Sequence, residues 1–138
     1  MTRALAVVAV AAVALAGCGG GKKQSPEQTA RGAVQGFAKA FGDGDGKKAC
    51  SLLTKSAGTA FVTRAKPLTH ANDCPTAIKR VHDEAGGVVT QAYAAAKVGK
   101  VTVTGSKATA QVKAGGAATT VGLVKEGGKW KLTGVPGL

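Results

Sequence analysis

The stretch KVGKVTVTGSKATAQVK, Lys97 to Lys113, decides the fold class. Val101 and Val103 fall on one side of an extended chain, and Lys100, Thr102 and Thr104 on the other. Gly105-Ser106 turns the chain, after which Ala108, Ala110 and Val112 repeat the inward pattern against Thr109, Gln111 and Lys113. A period of two is that of a half-buried strand, because successive Cβ atoms point to opposite faces. Downstream, Gly115-Gly116 makes a second turn and Thr119, Val121 and Leu123 continue the inward set. Glu126-Gly127-Gly128-Lys129 then forms a tight hairpin ahead of Trp130 and Leu132, which close the sheet between Lys129, Lys131 and Thr133. The expected sheet has one apolar face and one Lys/Thr face.

Upstream the period is helical. Ser25-Pro26-Glu27-Gln28 combines an N-cap serine, a proline at the first helical position and a glutamine that completes a capping box. Ala30, Ala33, Val34, Phe37, Ala40 and Phe41 follow on one face, and Gly42-Asp43-Gly44 ends the helix. Asp45 caps a short second helix through Lys48, Cys50 and Leu53. Ser56 to Ala65 reads as a third, with Ala57, Ala60, Phe61 and Arg64 at helical spacing and Lys66-Pro67 as its break, and a loop covers Leu68 to Asp73. Cys74-Pro75 opens another helix, with Ile78, Val81 and Ala85 on one face and Gly86-Gly87 as its stop. Val88 to Ala96 fits strand or helix, β-branched at first and then alanine-rich. Helices first and an antiparallel meander after them make an α+β protein, with residues 25–138 as one domain.

The N-terminus has a different character. Met1-Thr2-Arg3 is a short positive region, and Ala4 to Ala16 is small, apolar and uncharged. That run is too short for a spanning helix of roughly 20 residues. It closes on Leu15-Ala16-Gly17-Cys18, which resembles the lipobox of bacterial lipoproteins. The resemblance implies that residues 1–17 are a signal peptide, and that Cys18 becomes the first residue of the mature chain and carries acyl groups. Each buried methylene contributes about 0.8 kcal/mol, so two or three chains anchor stably where one does not. Gly19 to Gln24, after the acylated cysteine, is then a flexible tether (residues 18–24), and the protein faces the extracytoplasmic side.

With Cys18 acylated, Cys50 and Cys74 remain as an even pair in an oxidising compartment, and a disulfide between them is expected. Such a staple contributes roughly 3 kcal/mol in the chain-entropy model. It suits a chain whose many alanines and glycines bring little apolar area. The full sequence carries 19 Lys and Arg against 7 Asp and Glu; loss of Arg3 with the leader lowers the net charge from +12 to +11. A charge of this size favours anionic neighbours such as phospholipid headgroups or wall polymers, and another envelope protein is a further candidate partner. Nucleic acid is not an expected partner, because the basic residues are dispersed and aromatic stacking platforms are few.

The capped first helix ending in Phe41-Gly-Asp-Gly-Asp45, the Cys50-Ser-Leu-Leu-Thr54 segment, the second cysteine and the late Leu-Val-Lys-Glu-Gly-Gly-Lys-Trp-Lys-Leu132 hairpin resemble small exported proteins of the nuclear-transport-factor-like superfamily. The resemblance implies the cone-shaped, cystatin-like fold shared with ketosteroid isomerase and with many actinobacterial lipoproteins. Isomerases on that fold place a base and a proton donor on the sheet. Here Lys97 to Lys125 contains no Asp, Glu or His, Glu126 sits in a turn, and the sole tyrosine, Tyr93, lies outside the clear strands. His82 and Asp83, as helix neighbours, are expected to face different ways, and His70 is alone in a loop. The run Asp43-Gly-Asp-Gly46 fails as a calcium loop: with Gly46 at position 6, Phe41 and Leu52 occupy positions 1 and 12. No catalytic residue, metal or cofactor is expected.

Two binding modes follow. Phe37, Phe41, Val101, Val103, Ala110, Val121, Leu123 and Trp130 are candidates for an apolar pocket inside the cone, or else simply fill the core. Lys100, Lys113, Lys129 and Lys131 are candidates for contact with an anionic surface. The anchor is tested first: Cys18→Ala should leave an uncut precursor or release the protein to soluble fractions. Fatty-acid labelling that persists in this variant would refute acylation at Cys18.

Overall fold

The computed structural model describes residues 21–138, so the expected signal peptide and Cys18 lie outside the described residues. Five helices precede four strands: α1 (Pro26–Gly42), α2 (Gly46–Ser51), α3 (Lys55–Thr69), α4 (Cys74–Glu84) and α5 (Gly86–Ala94), then β1 (Lys97–Thr104), β2 (Lys107–Ala114), β3 (Ala117–Glu126) and β4 (Lys129–Leu132). The strands form one antiparallel sheet in the order β1-β2-β3-β4. The protein is α+β.

Four helix starts are set by short polar side chains that satisfy otherwise orphaned amides. The Ser25 hydroxyl accepts from the Gln28 amide at 3.2 Å while the Gln28 side chain accepts from the Ser25 amide at 2.9 Å. Asp45, Thr54 and Asp73 accept from the amides of Lys48, Ala57 and Thr76 in the same manner. Helix α1 lies across one face of the sheet, against β1, β2 and β4, and buries Ala30, Val34, Phe37, Ala38, Ala40 and Phe41 there and against α2 and α5. The segment between α2 and α3 covers the β4 edge: the Leu132 amide donates to the Leu52 carbonyl at 2.8 Å, and the Thr54 amide to the Leu132 carbonyl at 2.9 Å. An edge strand so paired offers no free ladder to another chain.

Two local expectations are corrected, and one segment left open by the sequence is resolved. Lys66-Pro67 does not break α3, which runs on to Thr69. Pro67 is exposed, so the carbonyl that loses its amide partner faces water, while buried Ala65 and Thr69 hold the last turn to the core. The Thr69 carbonyl is taken by Arg80 at 2.9 Å, and His70 caps the end in the left-handed conformation with φ 51°. The inward face of α3 is Ala57, Gly58, Phe61 and Ala65, whereas Ala60 and Arg64 are exposed. Finally, Val88 to Ala94 is helical, as part of α5, which has no side-chain cap.

Cys50 at the end of α2 and Cys74 at the start of α4 are joined by a disulfide with Cα atoms 6.0 Å apart. The two helices press together hardest at Gly46, where a Cβ would stand 2.1 Å from the Pro75 carbonyl oxygen. Gly46→Ala should therefore cost about 3 kcal/mol, the upper end for overpacking. Gly32 lies on the open side of α1, where a Cβ would meet no atom within 4 Å, and should respond with the opposite sign. Gly32→Ala should stabilise by about 1 kcal/mol. Urea midpoints at constant slope measure both, and an unchanged midpoint for Gly46→Ala would contradict the α2–α4 contact.

Candidate functional site

The two faces of the sheet have separate fates. On the helix side, Phe37, Phe41, Ala110, Val121, Leu123 and Trp130 are all buried in one core, while Val101 and Val103 on edge strand β1 are half-buried. Phe37 and Phe41 are wholly inaccessible and stack on each other with centroids 5.7 Å apart. The Trp130 indole donates to the Thr29 hydroxyl at 3.1 Å, and Lys125 rests 5.9 Å above its ring. Seven of the eight apolar candidates thus line none of the described clefts; Val121 alone borders one, the groove between β3 and residues 133–138.

Among the described residues no helix packs across the opposite face, although α5 stands beside its Lys97–Lys113 corner, and the register places its side chains row by row. Lys97 lies opposite Lys113, Thr102 opposite Thr109, Thr104 opposite Lys107, Gln111 opposite Thr120, and Glu126 opposite Lys129. Lys97, Lys100, Lys107, Lys113 and Lys129 are all exposed. Facing like charges across a strand pair is destabilising without a counter-charge, and none of the described ion pairs involves a strand residue. This face therefore presents ammonium groups outside any described ion pair among threonine hydroxyls, groups whose chemistry suits anions through charge and hydrogen bonds.

Of the four lysines expected to contact an anionic surface, three stand free and one is engaged. The ammonium of Lys131, half-buried beside Val124, donates to the Ser51 carbonyl at the C-terminus of α2. A cation there satisfies a helix-end carbonyl and opposes the dipole, which makes it an integral part of the fold. Lys97 and Lys107 join the face without having been among the candidates: the period of two around Ala108 holds Lys107, whereas the same alternation counted back from Val101 would turn Lys97 inward, and an irregularity between Val98 and Val101 sets it outward. Lys100 reaches its position through a bulge: Val98 and Val101 both pair inward, so Gly99 and Lys100 together oppose Gln111. Arg31 of α1 pins that bulge, donating to the Val98 carbonyl and, at 2.7 Å, to the Gly99 carbonyl.

Four other titratable groups make contacts within the scaffold. His82 and Asp83 do meet, contrary to expectation, with Nδ1 and Oδ1 3.2 Å apart. Hydrogen bonds from Lys79 and His82 hold the Asp83 carboxyl below its usual value. The His82 ring packs over Gly44, where a Cβ would approach it to 2.8 Å, so the pair joins α4 to the α1–α2 turn. Asp73 is held below its ordinary value by the Thr76 amide it caps. Burial pushes the Tyr93 phenol up to about 12, and its hydroxyl donates to the Pro136 carbonyl. Among the described residues, no group of three or more His, Cys, Asp or Glu is placed to hold a metal ion.

Compared with known proteins, the chain matches no family model, no curated protein and no solved structure.

Tyr93 makes stability depend on alkaline pH. Its folded value is above the ordinary 10.0, so the phenol's contribution is intact below pH 10. Between 10 and about 12 the unfolded state ionises first, and stability falls as pH rises. Lysine titration acts in the same range, so the comparison is with Tyr93→Phe, whose urea midpoint should fall less steeply from roughly pH 9.5 upward, near the onset of phenol ionisation. Parallel curves for the two proteins would show that Tyr93 is not differentially buried.

Proposed function

We propose that this chain is a lipid-anchored envelope protein that works without catalysis, holding anionic material against the Lys/Thr face of its sheet. The observation that carries the reading is the face itself: exposed Lys97, Lys100, Lys107, Lys113 and Lys129 on β1, β2 and β4, with Glu126 the one carboxylate, at a corner. The lipobox-like Leu15-Ala16-Gly17-Cys18 supports the anchor and the extracytoplasmic location. A tethered domain meets headgroups and anionic wall polymers at high local concentration, and a net charge of +11 after loss of the leader biases every encounter toward them. The wholly buried Phe37, Phe41 and Ala110 weigh against the alternative of an apolar ligand inside the cone. The resemblance to the nuclear-transport-factor-like superfamily supports a binding scaffold, and the sheet's lack of Asp and His weighs against isomerase-type chemistry.

Binding to an anionic polymer or to anionic vesicles should be measurable at about 0.01 M salt, where the Debye length is about 30 Å, and much weaker at about 0.15 M, where it is about 8 Å. The triple variant Lys100→Glu, Lys113→Glu, Lys129→Glu should bind more weakly still, with its folding unchanged because all three side chains are exposed. Lys131→Glu should instead lower stability through loss of the Ser51 contact. Salt-insensitive binding, or full binding by the triple variant, would refute the electrostatic face. Titration calorimetry or flotation reads either outcome.

A further inference from the structure

Helix α5 is out of keeping with its surroundings. Its sequence GGVVTQAYA has no charged residue, yet only Tyr93 among its side chains is buried. Val88 is 80% exposed, the highest among the described large apolar residues. Between α5 and the sheet lies an open cleft of about 520 Å³, with Val88, Ala92 and Ala95 on the helix side and Lys97 and Lys113 on the strand side. Gln91 is the only other polar side chain on its wall. The β2–β3 turn closes one end: Gly115, at φ 58°, sits so near that a Cβ there would touch Ala92 at 3.4 Å.

We infer that this corner is a membrane-contact site, in which α5 sets Val88 and its alanines into the interfacial zone of an anionic bilayer while Lys97 and Lys113 take lipid phosphates. The apolar side and the paired ammonium groups lie on one cleft, which is the division an amphiphile presents in reverse. Lysine stems can cover apolar surface while their heads remain with phosphate and water. Charge complementarity extends beyond the cleft, since Gly86 to Lys125 holds five lysines and neither Asp nor Glu. The inference deepens the proposed function, on which it rests for the anchor, by committing the anionic partner to lipid headgroups and by orienting the domain. With this corner on the bilayer, the Lys97–Lys113 end of the Lys/Thr face meets the headgroups, while the middle of the face, around Thr109, remains in water.

The test uses the full mature chain reconstituted into vesicles, with a thiol-directed, polarity-sensitive fluorophore at Val88→Cys. Cys50 and Cys74 are bonded to each other, and an acylated Cys18 leaves the new thiol as the single target. A second protein carries the probe at Thr109→Cys, in the middle of the exposed sheet face. In vesicles of phosphatidylcholine with phosphatidylglycerol, emission from position 88 should shift to the blue and lose quenching by iodide. Emission from position 109 should remain that of water, and neither change should occur in pure phosphatidylcholine. Adding Lys97→Glu and Lys113→Glu should abolish the shift, since each basic group near an anionic leaflet is worth about fivefold in partition. A water-like probe at 88 on protein that floats with the vesicles would overturn this inference alone. Failure to float with any vesicle would remove it together with the anchor. A blue shift that grows with protein concentration in the absence of lipid would assign the corner to a second copy of the chain and equally overturn it.

Discussion

The ring of Phe41 stands where α1, α3 and α5 meet, with its centroid 4.3 Å from Tyr93, 5.7 Å from Phe37 and 5.9 Å from Phe61. In a chain whose interior is otherwise largely alanine and valine, this cluster supplies much of the large apolar area available to bury. It fixes the C-terminal half of α1. The Thr29–Trp130 hydrogen bond and the two bonds from Arg31 to the β1 bulge fix the N-terminal half. Held at both ends, α1 covers one face of the sheet and leaves the other to solvent. The separation of a filled core from a free, basic surface depends on that placement.

The acidic residues explain why the free surface is so uniformly basic. Asp45 and Asp73 serve as helix caps, and Asp43 and Asp83 pair with Lys39 and Lys79 one turn away. Glu27 lies in the first turn of α1, where a negative charge opposes the dipole. Of the seven carboxylates in the sequence, Glu126 alone lies in a strand. The acids stabilise helices and the strand lysines stay unneutralised. Local helix energetics thereby produces an electrostatic asymmetry across the domain.

The disulfide acts beside this core. It ties α2 to α4 at the place where Gly46 lets the backbones touch, and the adjoining segment Leu52 to Thr54 seals the β4 edge. One short region therefore limits helix packing, sheet closure and the position of Lys131. A chain rich in glycine loses entropy in ordering such a region, and a covalent link between its neighbours offsets part of that.

The sequence by itself determined everything governed by local rules. The capping box at Ser25 to Gln28, the cap at Asp45, the period-two strands and the Gly-Gly hairpin are short-range chemistry, and each stands where residue order places it. The inward residues Ala108, Ala110, Val112, Val121 and Leu123 were legible for the same reason, since the pleat alternates whatever packs on it. Only the tertiary structure decided the rest. Pro67 stays helical because Ala65 and Thr69 are held by the core, a force absent from any window around Pro67. Val88 to Ala94 is equally suited to two conformations, and packing of Tyr93 on Phe41 selects the helix. Lys131 and Lys113 look alike in sequence, but a carbonyl 80 residues earlier takes one and leaves the other free. Such outcomes depend on contacts between residues far apart along the chain, whose energies no local pattern encodes.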